Sequence, residues 1–285
     1  MSTNESDLFD LHAHTTKSDG TYTPAELVRL AVEKGLAGIA VTDHDTLNGI
    51  EEARIAAVSA GIEIVPGVEL NTVYNGREIH VLGYFIDETN ESFLQLCKQL
   101  REGRVNRAEM IIERLQEAGC SITMEDVLAY AQGDAIGRPH IARVLVQKGY
   151  CSTLQEAFDR YLVPGKPGFV ERMKLHPQKA VQAIREARGC PVLAHPGLIG
   201  DDALIYDLHR HGLGGIETEH PDHSPLQRQH YQTIAVQLQL IATGGSDFHG
   251  AGAEHRGDLG SVKVGRDVVA RLFADAHKEW KPAND

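Results

Sequence analysis

Histidine and carboxylate residues at short spacing are the feature of this 285-residue sequence with the clearest chemical meaning. His12 and His14 form an HxH pair, residues 42–45 read Thr-Asp-His-Asp, and Asp247 and His249 repeat the two-residue spacing. On an extended chain, residues i and i+2 project to the same side, so each pair can present two donor atoms to one cation. The spacing therefore predicts binding of a divalent metal ion.

Further donor candidates follow turns and short apolar runs. Asp19 lies in a Ser-Asp-Gly turn, and Glu69 follows the apolar run 64–68. His80 alternates with apolar residues in 78–83, and His195 follows the apolar run 190–194. Singly, these residues suit a turn, a helix cap, a salt bridge or a structural histidine. Together, we interpret nine residues as metal ligands: His12, His14, Asp19, His44, Glu69, His80, His195, Asp247 and His249.

The donor types narrow the choice of metal. Imidazole and carboxylate ligands suit Mn, Fe or Zn, and the set contains no thiolate, which argues against a purely structural zinc site. We expect divalent ions and name Mn as the first choice, while the donor types themselves accommodate Mn, Fe and Zn alike.

These donors fall near the ends of predicted strands. Residues 8–11, 38–42 and 62–68 have the apolar composition of buried strands, and helices are predicted at 24–34 and 47–60. Later apolar strands are predicted at 190–194, 214–217 and 240–243. This alternation is typical of βα units in a parallel sheet or barrel, where ligands bind at the carboxyl ends of the strands.

The middle of the chain has a different character. Amphipathic patterns predict one long helix at 94–118 and shorter helices at 125–131, 139–148 and 154–161. We therefore predict an α/β barrel domain formed by residues 1–88 and 176–285, interrupted by an all-helical insertion at 89–175 that caps the barrel mouth.

Composition excludes several classes of protein. The net charge of −12 disfavours a surface that binds long nucleic acids, and 42% hydrophobic residues exclude a wholly disordered chain. No apolar run approaches the length of a membrane span, and the amino terminus lacks the pattern of a secretory signal. The four cysteines are scattered, which is typical of reduced thiols and predicts a cytoplasmic protein.

The ordered motifs HxH, SDG, TDHD, E, H, H and DxH resemble the PHP (polymerase and histidinol phosphatase) superfamily of metal-dependent phosphoesterases. The similarity spans nearly the whole chain. Residues 137–143, 165–172 and 244–250 most resemble the branch that contains nucleoside 3′,5′-bisphosphate phosphatases and the 5′→3′ exoribonuclease RNase AM. The resemblance implies a distorted (β/α)7 barrel with a trinuclear metal centre.

Carried over by position, the resemblance divides the donors among three ions. The first would take His12, His14, Glu69 and Asp247, the second Glu69, His80 and His195, and the third Asp19, His44 and His249. Glu69 would bridge the first two ions. Asp43 and Asp45 would orient the imidazoles from behind.

The implied reaction is the attack of a metal-bridging hydroxide on phosphorus. We assign catalytic roles to Asp247, His195 and His223, with His195 primarily a ligand and His223 the preferred general acid. A surface turn is an equal alternative for His223. Five residues are predicted to bind substrate: Arg138, His140, Lys166, Lys17 and Arg143. Arg101, Arg104 and Arg107 on the long helix could face the cleft, but we interpret them as a salt-bridged surface stripe.

The expected substrate is a nucleoside 3′,5′-bisphosphate that loses its 3′-phosphate to give the 5′-monophosphate. A 5′→3′ exonuclease acting on short RNA or DNA is the main alternative, although the aromatic content of 6% mildly favours a small substrate. C–N hydrolysis, as in amidohydrolases, would leave the third donor set idle. A non-catalytic metal-sensing or partner-binding module is the fourth alternative.

Overall fold

A computed structural model describes residues 7–130, 136–171, 175–250 and 257–278. Ala131 and Arg172, which the sequence analysis placed in a helix and in a motif, lie outside these residues. The described strands are β1 (Leu8–Asp10), β2 (Gly38–Val41), β3 (Glu63–Tyr74), β4 (Arg77–Tyr84), β5 (Cys190–Leu193), β6 (Gly215–Glu219), β7 (Ile241–Gly244) and β8 (Val264–Gly265). They form one sheet in the order β7-β6-β5-β4-β3-β2-β1-β8.

The sheet curls into a nearly closed barrel, and this confirms the expected distorted (β/α)7 architecture. An isolated parallel bridge joins Ala13, just after β1, to Phe248, just after β7. Within it, the His14 backbone N–H donates to Phe248 O at 2.8 Å. The bridge places the HxH and DxH pairs side by side. The short strand β8 lies at the edge of the sheet, antiparallel to β1.

One strand runs against the expected parallel order. The β1–β2–β3 and β5–β6–β7 pairings are parallel, whereas β4 is antiparallel to both β3 and β5. Asn75 and Gly76 cause the reversal, because both have positive φ, as a tight type I′ hairpin turn requires. The predicted strand 62–68 therefore continues to Tyr74, and the register pairs Asn71 with His80.

The outer helices begin and end at residues that favour helix termini. They are α1 (Pro24–Glu33), α2 (Ile50–Ala60), α7 (Pro177–Glu186), α8 (Pro196–Ile199), α9 (Asp202–Arg210), α10 (Pro225–Leu238) and α11 (Arg266–Ala276). Thr23 and Glu26 form a reciprocal capping box at the start of α1. Gly61 ends α2 in the left-handed conformation, at the predicted stop.

The central helices are α3 (Glu91–Glu117), α4 (Met124–Leu128), α5 (Arg138–Gln147) and α6 (Leu154–Ala157), followed by a π-helical segment, Phe158–Leu162. The beginning of α3, including Phe93 and Cys97, packs into a core shared with β3, β4 and α7. Its later residues, such as Ile111 and Leu115, pack into a separate core with α5. Because α3 contributes to both cores, the domain boundaries at 88/89 and 175/176 stay a prediction. No helix in the described part of the chain is long and apolar enough to span a membrane.

Asp10, at the end of β1, accepts hydrogen bonds from backbone groups on both sides of the point where the barrel closes. Its Oδ1 accepts hydrogen bonds from the backbone N–H groups of His12 at 3.2 Å and Ser246 at 2.9 Å. Its Oδ2 accepts from Gly260 N–H at 2.8 Å. This fully buried carboxylate satisfies backbone donors from two distant parts of the chain.

We predict that Asp10→Ala lowers the free energy of unfolding by about 3 kcal/mol or more, because three backbone donors lose their acceptor. Urea denaturation followed by circular dichroism measures the change. Asp267→Ala, which removes an exposed carboxylate from the first turn of α11, should change stability by only about 0.5 kcal/mol. Equal denaturation midpoints for the two variants would refute the role given to Asp10.

Candidate metal centre

The first donor group forms just beyond the ends of β1 and β7, beside Glu69 in the middle of β3. His12 Nε2 and His14 Nε2 each lie 3.3 Å from Asp247 Oδ1. The same two nitrogens lie 3.4 Å and 3.2 Å from the two carboxylate oxygens of Glu69. All four side chains are buried. The structure therefore brings together the set predicted for the first ion.

The second donor group depends on the antiparallel strand β4. His80 Nδ1 lies 2.9 Å from Glu69 Oε1, and His195 Nε2 lies 3.4 Å from the same oxygen. His195 follows β5 with φ of 28°, a left-handed conformation that a histidine adopts only where its surroundings hold it. Glu69, His80 and His195 are close enough to share one ion.

The third donor group lies on the other side of Glu69. His249 Nε2 is 3.1 Å from Asp19 Oδ1, and His44 Nε2 is 3.8 Å from Asp19 Oδ2. His14 joins this group as well as the first. All nine predicted ligands thus converge in one region, although their role as ligands stays a prediction.

Each of these histidine rings has one nitrogen facing the donor groups and one facing away. The contact made by the nitrogen that faces away determines which of the two carries the hydrogen. His12 Nδ1 lies 3.1 Å from Glu217 Oε1, and His80 Nε2 lies 3.5 Å from Glu78 Oε1. His249 Nδ1 donates to the backbone oxygen of Asp247 at 2.8 Å. A neutral imidazole that donates outward has its lone pair on the inward nitrogen, which is the form that binds a metal.

Buried atoms without hydrogen-bond partners also fit a cation. His12 Nε2, His14 Nε2 and both oxygens of Glu69 are buried and make no hydrogen bond. Such groups are costly inside a protein unless a metal or a charge completes them. The nitrogen and oxygen donors suit Mn, Fe and Zn.

Electrostatic coupling within the centre is strong. Burial opposes the charged form of His12, yet three neighbouring carboxylates, Glu217 first, raise its pKa well above the ordinary value. At His80, Glu69 and Glu78 outweigh burial and raise the pKa to about 10. Burial opposes ionisation of Glu69, but the surrounding imidazoles, led by His80, hold its pKa well below the ordinary value.

The sequence analysis expected Asp43 and Asp45 to orient the imidazoles. In the structure each aspartate reaches an imidazole through one intervening residue. Asp43 accepts hydrogen bonds from Thr15 and from Ser18 Oγ, which lies 3.4 Å from His14 Nδ1. Asp45 accepts from the Asn71 backbone and side chain, and Asn71 Nδ2 lies 3.0 Å from His44 Nδ1. Each aspartate therefore acts on an imidazole through one intervening residue.

A cleft of about 210 Å³ lies between the metal centre and the central helices. The interpretation of the α3 arginines as a surface stripe was wrong for Arg104, whose side chain is 9% exposed and whose Nε and Nη2 both lie 2.7 Å from Asp45 Oδ2. Arg107 also lines the cleft and donates to Val170 O at 2.8 Å. Arg104 and Arg107 therefore line the cleft and do not form an outer surface stripe.

The five predicted substrate-binding residues are spread over several environments. Arg138 lines the cleft and donates to Glu78 Oε2 at 2.6 Å. His140 is buried and accepts from Gly137 N–H at 3.1 Å, which caps α5. Lys17 pairs with Glu52 at 3.2 Å. Lys166 is exposed in a turn and Arg143 is half-buried on α5, outside the described lining of the cleft.

Two residues at the end of β6 take roles that the sequence analysis did not assign. Glu217 contacts His12 as described above, and His220 Nε2 lies 3.8 Å from Asp247 Oδ2 in a buried position. His223, the predicted general acid, is buried: Nδ1 donates to Thr218 O and Nε2 accepts from Gly197 N–H, both at 3.0 Å. It is therefore not a surface residue, and its catalytic role stays a prediction.

Comparison with known proteins decides the family. The PHP domain family matches residues 10–171. The chain belongs to the PHP family. It is 38% identical over 254 residues to the 5′-3′ exoribonuclease Rnm of Escherichia coli, covering 87% of each chain. It is 34% identical over 283 residues to a 3′,5′-nucleoside bisphosphate phosphatase of Chromobacterium violaceum, covering 94% of this chain and 98% of the relative.

Solved structures agree with this assignment. The crystal structure of a metal-dependent phosphoesterase from Bifidobacterium adolescentis superposes with a TM-score of 0.86 at 33% identity, covering 94% of this chain and 96% of the other. As a PHP-family protein, this chain is a phosphoesterase of the hydrolase class.

Metal binding by this PHP protein should release protons. At pH 7 the raised pKa values keep His12 and His80 protonated in the metal-free protein, and both must lose a proton to present a lone pair. Affinity for Mn²⁺ should therefore fall as pH decreases. Titration calorimetry in two buffers of different ionisation enthalpy measures the release.

The matched variant is His80→Asn, which should release about one proton fewer than the parent protein. Binding heats that do not depend on the buffer would contradict the proposed protonation state.

Proposed function

We propose that this protein hydrolyses nucleoside 3′,5′-bisphosphates to nucleoside 5′-monophosphates and inorganic phosphate, with divalent ions, preferably Mn²⁺, in a trinuclear centre. The two relatives named above act on RNA and on bisphosphate nucleotides, which supports a nucleotide substrate. Four free, buried cysteines support a cytoplasmic location with reduced thiols.

The observation that carries this proposal is the composition of the cleft beside the donor groups. The barrel contributes His44 and His80 to the lining, and the central helices contribute Arg104, Arg107 and Arg138. Apolar side chains of the central helices, including Ile111 and Phe158, complete the lining. A substrate with one phosphate at the metal centre, a second phosphate for the arginines and an apolar base matches these three surfaces.

The three donor groups described above would hold the ions. Bound divalent ions neutralise the phosphate charge and lower the pKa of water towards about 7. Glu69 supplies an oxygen to both the first and the second group, so it would fix their separation. Asp45 and Asn71 support His44 from behind, while Arg101 and Arg104 hold Asp45 in place.

Hydrolysis adds one water across the P–O bond, so the 3′ oxygen leaves with a proton. We assign Asp247 and His195 to the reacting centre, and His223 as the donor of that proton. Because His223 Nε2 accepts from Gly197 N–H and so carries no proton, this bond must open and Nε2 must take up a proton from solvent before His223 can deliver one to the 3′ oxygen. His220, beside Asp247, is the alternative donor.

The second candidate is a 5′→3′ exonuclease acting on short RNA or DNA, which the Escherichia coli relative favours. Both activities would use the same donor groups. The cleft of about 210 Å³ is small and bounded by α3 and α5, so we favour the mononucleotide. We also propose that residues 89–175 act as one capping insertion over the 1–88 and 176–285 barrel.

Direct comparison of substrates tests the proposal. The Mn²⁺-loaded protein should show a higher kcat/KM for a nucleoside 3′,5′-bisphosphate than for a 5′-phosphorylated oligoribonucleotide, because the cleft is small and bounded by α3 and α5. Phosphate release and gel analysis measure the two reactions. A higher kcat/KM for the oligonucleotide would replace the first function by the second, and no hydrolysis of either substrate would reject both.

Arg138→Gln should lower kcat/KM for the bisphosphate by about 10- to 100-fold, since one charge-assisted contact to the second phosphate is lost. Activity on a nucleoside 3′-monophosphate, which has no second phosphate, should change little. Lys98→Gln, which removes an exposed cation of α3, is the matched control and should leave both reactions unchanged. Equal losses on the two substrates for Arg138→Gln would contradict phosphate recognition.

A further inference from the structure

Strand β6 carries at its middle position a buried carboxylate that contacts two of the donor groups at once. Glu217 is fully buried. One of its oxygens lies 3.1 Å from His12 Nδ1, in the first group. The other accepts the backbone N–H of His195 at 2.8 Å, in the second group. Both carboxylate oxygens are thus used, each on a different part of the centre.

The contact with His12 determines which nitrogen of the ring faces the centre. An ionised carboxylate only accepts hydrogen bonds, so the hydrogen between the two groups lies on His12 Nδ1. In the neutral ring the lone pair is then on Nε2, which lies 3.4 Å from Glu69 Oε1 and 3.3 Å from Asp247 Oδ1. Glu217 therefore selects the form of His12 that can bind a metal through Nε2.

The contact with His195 is of a different kind. His195 has φ of 28° and ψ of 57°, a conformation that side chains other than glycine rarely adopt. The hydrogen bond from its N–H to Glu217 holds the turn between β5 and α8 in this conformation. The turn directs His195 Nε2 towards Glu69 Oε1 at 3.4 Å.

We propose that Glu217 is a positioning residue that sets the His12 tautomer and the His195 backbone together, and so adjusts the first and second donor groups to each other. This inference rests on the metal-binding part of the proposed function. Glu217 itself touches neither Glu69 nor Asp247 by hydrogen bond among the described contacts, so its effect passes through the two histidines.

The decisive variant is Glu217→Gln, which keeps the shape of the side chain but replaces one acceptor oxygen by an NH2 donor. An amide cannot accept from both His12 Nδ1–H and the His195 N–H. We expect Zn²⁺ and Mn²⁺ affinity, measured by competition with a chromophoric chelator, to fall by about 10- to 100-fold. Glu217→Asp, which keeps both acceptors on a shorter side chain, should recover part of this loss.

A spectroscopic readout separates positioning from general destabilisation. In the Zn²⁺-loaded protein, the ¹⁵N shifts of His12 should show Nε2 bound to metal and Nδ1 protonated. Glu217→Gln should lose or reverse this pattern. Asp275→Asn removes a half-buried carboxylate that pairs with Arg185 at 2.7 Å and is not one of the donors, and it should lower stability while affinity stays within about 3-fold.

These experiments distinguish failure of the inference about Glu217 from failure of the proposed function. If the parent protein binds neither metal, the proposed metal centre fails and this inference with it. If the parent binds metal and Glu217→Gln retains both its affinity and the His12 pattern, the inference alone is overturned. Should Glu217→Gln not fold, Glu217→Asp decides, and unchanged affinity together with unchanged His12 shifts in that variant would overturn the inference.

Discussion

The structure is organised around one buried carboxylate, Glu69. Imidazole nitrogens from five histidines lie within 3.4 Å of its two oxygens: His12, His14, His44, His80 and His195. An isolated charge of this kind is costly to bury, so the fold must bring compensating groups from several strands to one point. In the metal-free protein the imidazoles of His12 and His80, whose pKa values are raised, fill that role, and divalent ions would fill it in the active enzyme.

Two features that differ from a regular parallel sheet bring the compensating histidines to Glu69. The β3–β4 hairpin turns the chain back, so that Glu69 and His80 arrive from neighbouring antiparallel strands. The bridge after β1 and β7 closes the opposite side and brings His14 against the turn that holds Asp247. Asp10 stabilises that closure by accepting three backbone hydrogen bonds.

The central helices extend the centre into a binding cleft. Helix α3 packs against the barrel at its beginning and against the other central helices further on. Arg101 and Arg104 hold Asp45, which contacts His44 through Asn71, so hydrogen bonds connect α3 to the third donor group. A molecule bound against α3 would therefore act on the same network that positions the donors.

The sequence by itself determined the chemistry and its approximate place. HxH, TDHD and DxH are local patterns, and their position after apolar strands, together with the family resemblance, predicted both the barrel and the nine donors. Only the tertiary structure decided the rest: the reversal of β4, the burial of Arg104 and the contacts of Glu217. These depend on which side chains face each other across segments far apart in the chain, such as His12 and Glu217, 205 positions apart. Spacing along the sequence carries no record of such distances, because they follow from the closure and curvature of the whole sheet.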